Sequence, residues 1–574
     1  MGLNGTVLWL KSRVRARISP VFLVLIRASR LTPTCAWLCR GPGYTKYLAC
    51  RIAKRSSGLT AALPAEKVTI PRGYRPIVLP CPIIAPNALY KPARHAGWCL
   101  LVEVTPNVFA YVMLGLWPIV TYVLYTRIGP VQALIWTLLA GYLLLPPIAA
   151  VNLPVVPDLD KFSIPSLAAL AIVLFVLRDR MSVFPDNILG KLFILMFVIS
   201  PFATVLTNPE PIAIIEGDVQ GMRLYDSAAA VTNQLIALLP YFLARRYLAT
   251  AEAMRAICAA YVAAGLAYSL PMLVEMQVSP QMNIWFYGFF QHDFFQTLRG
   301  GGYRPVVFLP HGLWTAFFAL MCMVAAMITL RLGPAPARPK QLAIAVYLLA
   351  ILILCKSAGA LVYGLALLPV LFLVGRRWQI FLAAALASVV ISYPALRGAG
   401  LIPVEDIVSY SQAFSAERAY SLQFRIDNEE RLLARAQEKP LFGWGGYGRN
   451  LILDPVTGRA LTIADGAWII VLGIYGWLGY VAEYGLLSLP LLLLAREALV
   501  QRSAAFSPYV AGIALLLAVN MVDMLPNATL IPLTWMMAGA LLGHVEAMAR
   551  ARRGEQADRA RMRLHAGRPR RTVI

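Results

Sequence analysis

The sequence predicts an all-α protein, a polytopic membrane helix bundle of about 12–13 transmembrane helices with a large outer loop forming a partly helical cap. Three observations predict it. Of 574 residues, 59% are hydrophobic and only 14% charged, against about 45–50% and about 25% in ordinary soluble domains. Mean hydropathy is +0.66. The apolar residues recur in blocks of near-membrane length, with basic residues in alternate gaps between them. A single globular core stops growing near about 250–300 residues. The apolar excess therefore excludes a soluble enzyme, a disordered hub and a secreted disulfide scaffold.

Residues 1–100 read as a basic N-terminal extension. Up to Ala96 they carry sixteen Lys/Arg, and Glu66 is the only acid. The apolar run Val21–Ile26 is too short to cross a bilayer, which takes about 20 residues. Its composition fits a transit peptide or an over-extended start, with translation beginning near residue 100. No function is assigned to it. Cys35 and Cys39 are spaced C-x3-C with no second pair, so neither a zinc site nor a disulfide framework is expected.

Windows of about 19 residues place spans near 108–126, 130–152, 162–177, 188–207, 228–243, 253–275, 307–330, 342–354, 359–374, 378–399, 467–493, 507–523 and 529–546. Lys356 and Ser357 interrupt the 342–374 pair. The bundle thus divides into a first part, 101–399, and a last part, 467–548, separated by the loop 400–466. Arg178/Arg180, Arg245/Arg246, Arg331–Lys340, Arg376/Arg377, Arg496/Arg502 and the basic tail 549–574 fall in alternate gaps. The positive-inside rule makes those cytoplasmic. The loops 153–161, 208–227, 276–306, 400–466 and 524–528 are then expected to be periplasmic or extracytoplasmic. The net charge of +24 is concentrated at the two termini; in the C-terminal tail it reads as a topology signal, with contact to anionic lipid headgroups as the alternative. It is not read as a nucleic-acid surface.

The usual soluble chemistries are absent. The five histidines, His95, His292, His311, His544 and His565, form no paired motif, and there is no P-loop and no G-x-S-x-G elbow. No metal and no cofactor is expected. What remains is a set of arginines on one side: Arg223, Arg299, Arg304, Arg418, Arg425 and Arg449. A guanidinium stays charged and its planar fork matches two phosphate oxygens. Arg418 and Arg425 are seven apart on the helical run Ala416–Glu438, hence on one face. The plain alternative for that pair is an ion pair with Glu417, Glu429 or Glu430. Glycines 443, 445, 446 and 448 allow a tight turn that approaches an anion closely. Trp285–Phe290 reads as an interfacial aromatic anchor, and Gly473, Gly476 and Gly479 as close-packing positions. The pattern suggests a diphosphate-bearing lipid substrate, with His311 or Asp465 as the base that activates a hydroxyl.

These residues also carry a resemblance. Late placement of one large outer loop, the R-x-x-x-x-R followed by Pro-His-Gly across Arg299–Gly312, Arg425 followed by Pro440-Leu-Phe-Gly-Trp-Gly-Gly-Tyr-Gly448, and Ser357-Ala-Gly-Ala-Leu resemble the O-antigen ligase and O-antigen polymerase family of bacterial membrane glycosyltransferases over roughly 200–490. The resemblance implies glycan transfer from undecaprenyl diphosphate to an acceptor saccharide, with Arg223, Arg299, Arg304 and Arg425 on the diphosphate, no cofactor, and a chain-length regulator as a candidate partner. It departs from the ligase pattern at Ala464-Asp465-Gly466, where the His-Asn of ligases is missing, and at Lys356. The expectation is therefore a polymerase. A ligase is the alternative within the family, and a polysaccharide or lipid transporter is the alternative from another class. Mid-span ionisable residues, which a transporter needs, read as scarce.

Overall fold

The computed structural model describes residues 105–153, 156–215, 217–414, 416–501 and 506–566, together with three short strands nearer the N-terminus. Those strands form a separate unit in which Trp98–Glu103 lies between Lys46–Ala49 and Ile77–Pro80, antiparallel to both. The rest of the basic extension 1–100 and the last residues of the tail, 567–574, lie outside the described residues.

The main unit is a helix bundle. Its helices are α1 (Val108–Arg127), α2 (Gly129–Leu144), α3 (Ser163–Ala171, continued by a π-turn Ile172–Val176), α4 (Ile188–Leu206), α5 (Leu224–Tyr247), α6 (Ala251–Val278), α7 (Met282–Tyr287), α8 (Gly312–Leu332), α9 (Arg338–Leu354), α10 (Ala358–Leu373), α11 (Arg376–Gly398), α12 (Val404–Phe414), α13 (Ala416–Glu438), α14 (Ala467–Val500), α15 (Pro508–Asp523) and α16 (Pro532–Ala566). Side-chain caps start several of them: Asn107, Asn187 and Thr250 accept the orphan N–H of Ala110, Leu189 and Ala253.

Every predicted block contains a helix, but not every helix is a full-length span. Among the described residues, eight are long and apolar enough to cross a membrane. α2, α3 with its π-turn, α10 and α15 are shorter apolar helices. A 16-residue helix is only about 24 Å long, against a hydrocarbon thickness of about 30 Å. Four-fifths of the apolar window of α8 (78%) and 72% of that of α14 are buried, while 28% of that of α1 is. The remaining apolar surface of α1, including Ile119 at 59% exposure, faces outward, as lipid-facing positions do. The chain is a multi-pass membrane protein.

Loops meet within the two sets that charge alternation separates. At the tail end, Arg245 binds Glu546 at 2.7 Å, Arg550 binds Asp186 at 2.8 Å and Arg552 binds Glu497 at 2.8 Å. At the cap end, Lys161 Nζ donates to Phe308 O, Lys439 pairs with Glu210, and Ile215 N donates to Pro455 O. The 400–466 loop contains α12 and α13, with α13 packed on α14. Tyr393 and Arg397 of α11 hold Glu429 of α13.

α14 is broken at Gly476, where φ is +64°. The turn Pro440–Gly445 fills the break. Trp444 N and Gly445 N donate to Gly473 O and Ile474 O, while Trp477 N and Leu478 N donate to Pro440 O and Leu441 O. Helix groups orphaned by the kink thus find partners in the turn. A Cβ on Gly443 would lie 2.5 Å from Ile474 C, and one on Gly476 2.4 Å from Leu441 C. The glycine run read as an anion approach provides this backbone-to-backbone contact.

Candidate functional site

The site is built on the chain between α6 and α8. Leu298–Arg299 and Gly302–Tyr303 form a small hairpin whose turn, Gly300-Gly301, has positive φ at both residues, as a two-residue type I′ turn requires. Beyond it, Val306–Leu309 is clamped by buried side chains from several elements. Glu275 of α6 accepts from Val306 N and Val307 N at 2.8 Å each. Tyr268 Oη accepts from Phe308 N, Lys161 Nζ donates to Phe308 O, and Gln291 Nε2 donates to Val307 O and Leu309 O. The clamp holds Val307 at φ +54°, a conformation costly for a β-branched residue. Lys161 is 1% exposed, and burial pushes its pKa down to about 7 against the opposing pull of Asp160. The Glu275 carboxylate is occupied by the backbone N–H groups of Met282, Val306 and Val307.

The clamp positions Arg304 and His311. Arg304 is 6% exposed. One of its amino groups donates to Lys356 O at 3.2 Å, its Nε has no hydrogen-bond partner, and no carboxylate pairs with it among the described residues. Burial, then the neighbouring Arg299, hold its pKa down to about 10, with Arg425 acting the same way. Gly312 makes room for it, since a Cβ there would lie 2.1 Å from Arg304 Cδ. Lys356, at φ +52° between α9 and α10, reaches the same place and donates to Arg299 O at 3.0 Å.

His311 caps α8, its Nδ1 accepting from Leu313 N at 2.9 Å. Nε2 lies 3.4 Å from Gln296 Oε1, and the ring packs against His292 at 4.2 Å between centroids. Burial, followed by His292, Arg304, Arg425 and Arg299, pushes its pKa down to about 3. With Nδ1 engaged by a backbone donor and cations around it, His311 is poorly arranged to take up a proton.

From the cap side come Arg425 and Asp465. Arg425 Nε is 3.5 Å from Asp465 Oδ2, and its amino group donates to Pro526 O and Asn527 Oδ1. The alternative reading, a pair between Arg425 and Glu429 or Glu430, is not made, because those two acids bind Arg397. Burial raises the Asp465 pKa and Arg425 lowers it.

Arg299, Arg304, Arg425, His311 and Asp465 therefore share one electrostatic neighbourhood. The other arginines sit elsewhere. Arg449 is fully buried and donates to Trp444 O, Gln220 O and Glu210 O, tying loop 208–223 to the cap. Arg223 is exposed at the start of α5, its N–H on the Asp226 carboxylate. The side chain of Arg418 lies outside the described residues. His292, Gln296 and Lys356 join the site without having been singled out for it. Lys356 carried a signal, as a charge interrupting an apolar block. Among the described residues no group of His, Cys, Asp or Glu is arranged to hold a metal ion.

No protein-family model matches the chain, and no curated protein matches it.

Proposed function

We propose that the protein is a membrane glycosyltransferase-like polymerase of the bacterial inner membrane, transferring a glycan from undecaprenyl diphosphate to a sugar hydroxyl in O-antigen or exopolysaccharide assembly. The observation that carries this reading is Arg304, a buried guanidinium with no carboxylate partner among the described residues, set beside Arg299 and Arg425. An uncompensated buried cation is costly, and a diphosphate bound there removes the cost. As the bond from the sugar to the diphosphate breaks, charge grows on the leaving oxygen, where fixed cations in a dry cleft stabilise it most. Asp465 is the base that takes the proton of the attacking hydroxyl, and His311 positions the start of α8. The positive-inside distribution supports a periplasmic active face and a cytoplasmic C-terminus.

The test is the chain-length distribution of surface and secreted polysaccharide in a deletion strain complemented with wild type, Arg304→Ala or Asp465→Asn at matched membrane levels. Single repeat units on the lipid carrier, restored to polymer by wild type alone, are expected. Long lipid-linked chains left off their acceptor mean a ligase instead. Unchanged polysaccharide in every strain sinks the glycosyltransferase reading. Transport is then the second reading, and the broken helix α14 favours it, because discontinuous helices line substrate sites in transporters.

A further inference from the structure

A cavity of about 420 Å³ lies between α4, α5, α14 and α16, and none of the arginine-site residues lines it. Its depth is set by α14. Glu483 lies sixteen residues beyond Ala467 in a 34-residue helix, close to its midpoint. Two polar side chains on its wall are more than nine-tenths buried. Glu483 is 7% exposed, and its Oε1 has no hydrogen-bond partner; Gln234 is 7% exposed, and neither amide atom has one. Both line the cavity. Leaving such groups unsatisfied carries a desolvation cost, larger for a charge. Buried polar groups therefore mark a place where something else binds.

The chemistry of the wall selects the occupant. The ionisable acids lining the cavity are Asp226 and Glu483, and no Lys, Arg or His lines it among the described residues. Aromatic rings of Phe197, Tyr475 and Trp535 supply much of the remaining wall, with Tyr447 at the Asp226 side. An anion is disfavoured by the two acids. A bare metal ion is far too small for the volume and would meet a single carboxylate at depth. A cation with an organic body fits all three features. Its N–H groups donate to Glu483 and Gln234, its charge compensates the carboxylate, and the aromatic rings attract it. The volume is that of an ordinary small-molecule pocket.

We infer that this cavity binds an organic ammonium ion. The inference stands independently of what the arginine site does, and it applies equally to a soluble amine and to the ethanolamine head of a lipid.

The test uses the full chain in phosphatidylcholine nanodiscs, with fluorescence anisotropy of dansylcadaverine as the cationic probe and of dansylamide and dansylglycine as its neutral and anionic counterparts. Empty nanodiscs give the background. Saturable binding of the cation, weakened about thirtyfold or more in Glu483→Gln and less in Gln234→Leu, is expected. Arg459→Ala, an exposed loop change away from the cavity, keeps the wild-type affinity. Monodisperse elution and an unchanged unfolding midpoint establish that the variants fold, and Gln234→Leu serves if Glu483→Gln does not. No saturable cation binding by wild type, equal binding of the three probes, or full affinity in both folded cavity variants overturns the inference. Adding phosphatidylethanolamine to the nanodiscs separates the sources: loss of probe binding identifies the lipid head, and unchanged binding a soluble amine.

Discussion

Three arginines of this bundle, Arg245 and Arg552 at the tail end and Arg304 at the cap end, are treated in opposite ways. Arg245 and Arg552 are each matched to a carboxylate. Arg245 and Glu546, whose side chains are 9% and 4% exposed, meet at 2.7 Å, and Arg552 meets the equally buried Glu497 at 2.8 Å. At the cap end, Arg304 is as buried but touches only a backbone carbonyl, with further arginines as neighbours. The first arrangement closes helices together. The second leaves positive charge uncompensated, a cost that a structural role does not explain and an anionic ligand does. Basic residues that look alike in sequence thus divide by whether the fold has supplied an acid.

The largest expected effect separates the two ends directly. Arg245→Met leaves Glu546 buried without its cation and destabilises the protein by about 3–5 kcal/mol. Arg304→Met removes a buried charge that had no counter-ion, so the unfolding midpoint in detergent stays the same or rises, while polymer formation falls by about 100-fold or more. Equal destabilisation by both substitutions would break the comparison and make Arg304 a structural residue.

Much of this was legible from sequence because membrane helices announce themselves locally. A continuous apolar block, an Asn or Thr at its start and basic residues at alternate ends are read one segment at a time, and all thirteen predicted blocks hold a helix. Helix ends were legible for α10 and α15, which match their windows to within one residue, and less so for α2, which ends eight residues before its window does, and α8, which starts five residues after its window does. The site was half legible. Arg299, Arg304 and His311 lie close in sequence, and the structure brings them together. Arg425 was read as a diphosphate ligand with acids on its own helix as the alternative partners, but tertiary packing gave those acids to Arg397 and brought Asp465 from forty residues on. Arg449 looked like a ligand-binding cation because sequence cannot show three backbone carbonyls converging on it. Glu483 and Gln234 were overlooked for a related reason. A lone polar residue in an apolar block scarcely moves a hydropathy average, although its burial without a partner is informative.

A middle-sized effect follows from the histidine that the cap-end cations surround. The folded-state pKa of His311 is about 3, below the value of about 6.5 for a free histidine. Above about pH 6.5 the residue is neutral in both states and contributes nothing to pH dependence. As pH falls below that value the unfolded chain gains a proton that the folded one refuses, so stability is lost, by about 2 kcal/mol at pH 5. His311→Asn keeps a side chain able to cap α8 and removes the titration. Its unfolding midpoint should fall less than wild type's between pH 7 and pH 5. Identical pH profiles would mean that His311 is neither as buried nor as close to His292 and the arginines as its place at the start of α8 requires.

The smallest expected effect concerns Arg425 and Asp465, the cap-end pair that most resembles the tail-end bridges. Their side chains are 35% and 37% exposed and 3.5 Å apart, conditions under which an ion pair contributes about 1 kcal/mol or less. A double-mutant cycle with Arg425→Gln and Asp465→Asn should give a coupling free energy in that range, against several times more for Arg245 and Glu546 measured the same way. A weak pair suits the proposed chemistry. An arriving diphosphate draws Arg425 away at little cost, and Asp465, released from its cation and raised by burial, becomes the stronger base at the moment the hydroxyl must lose its proton. A coupling as large as that of the tail-end pair would instead mean that Arg425 is committed to Asp465, leaving Arg299 and Arg304 to hold the diphosphate.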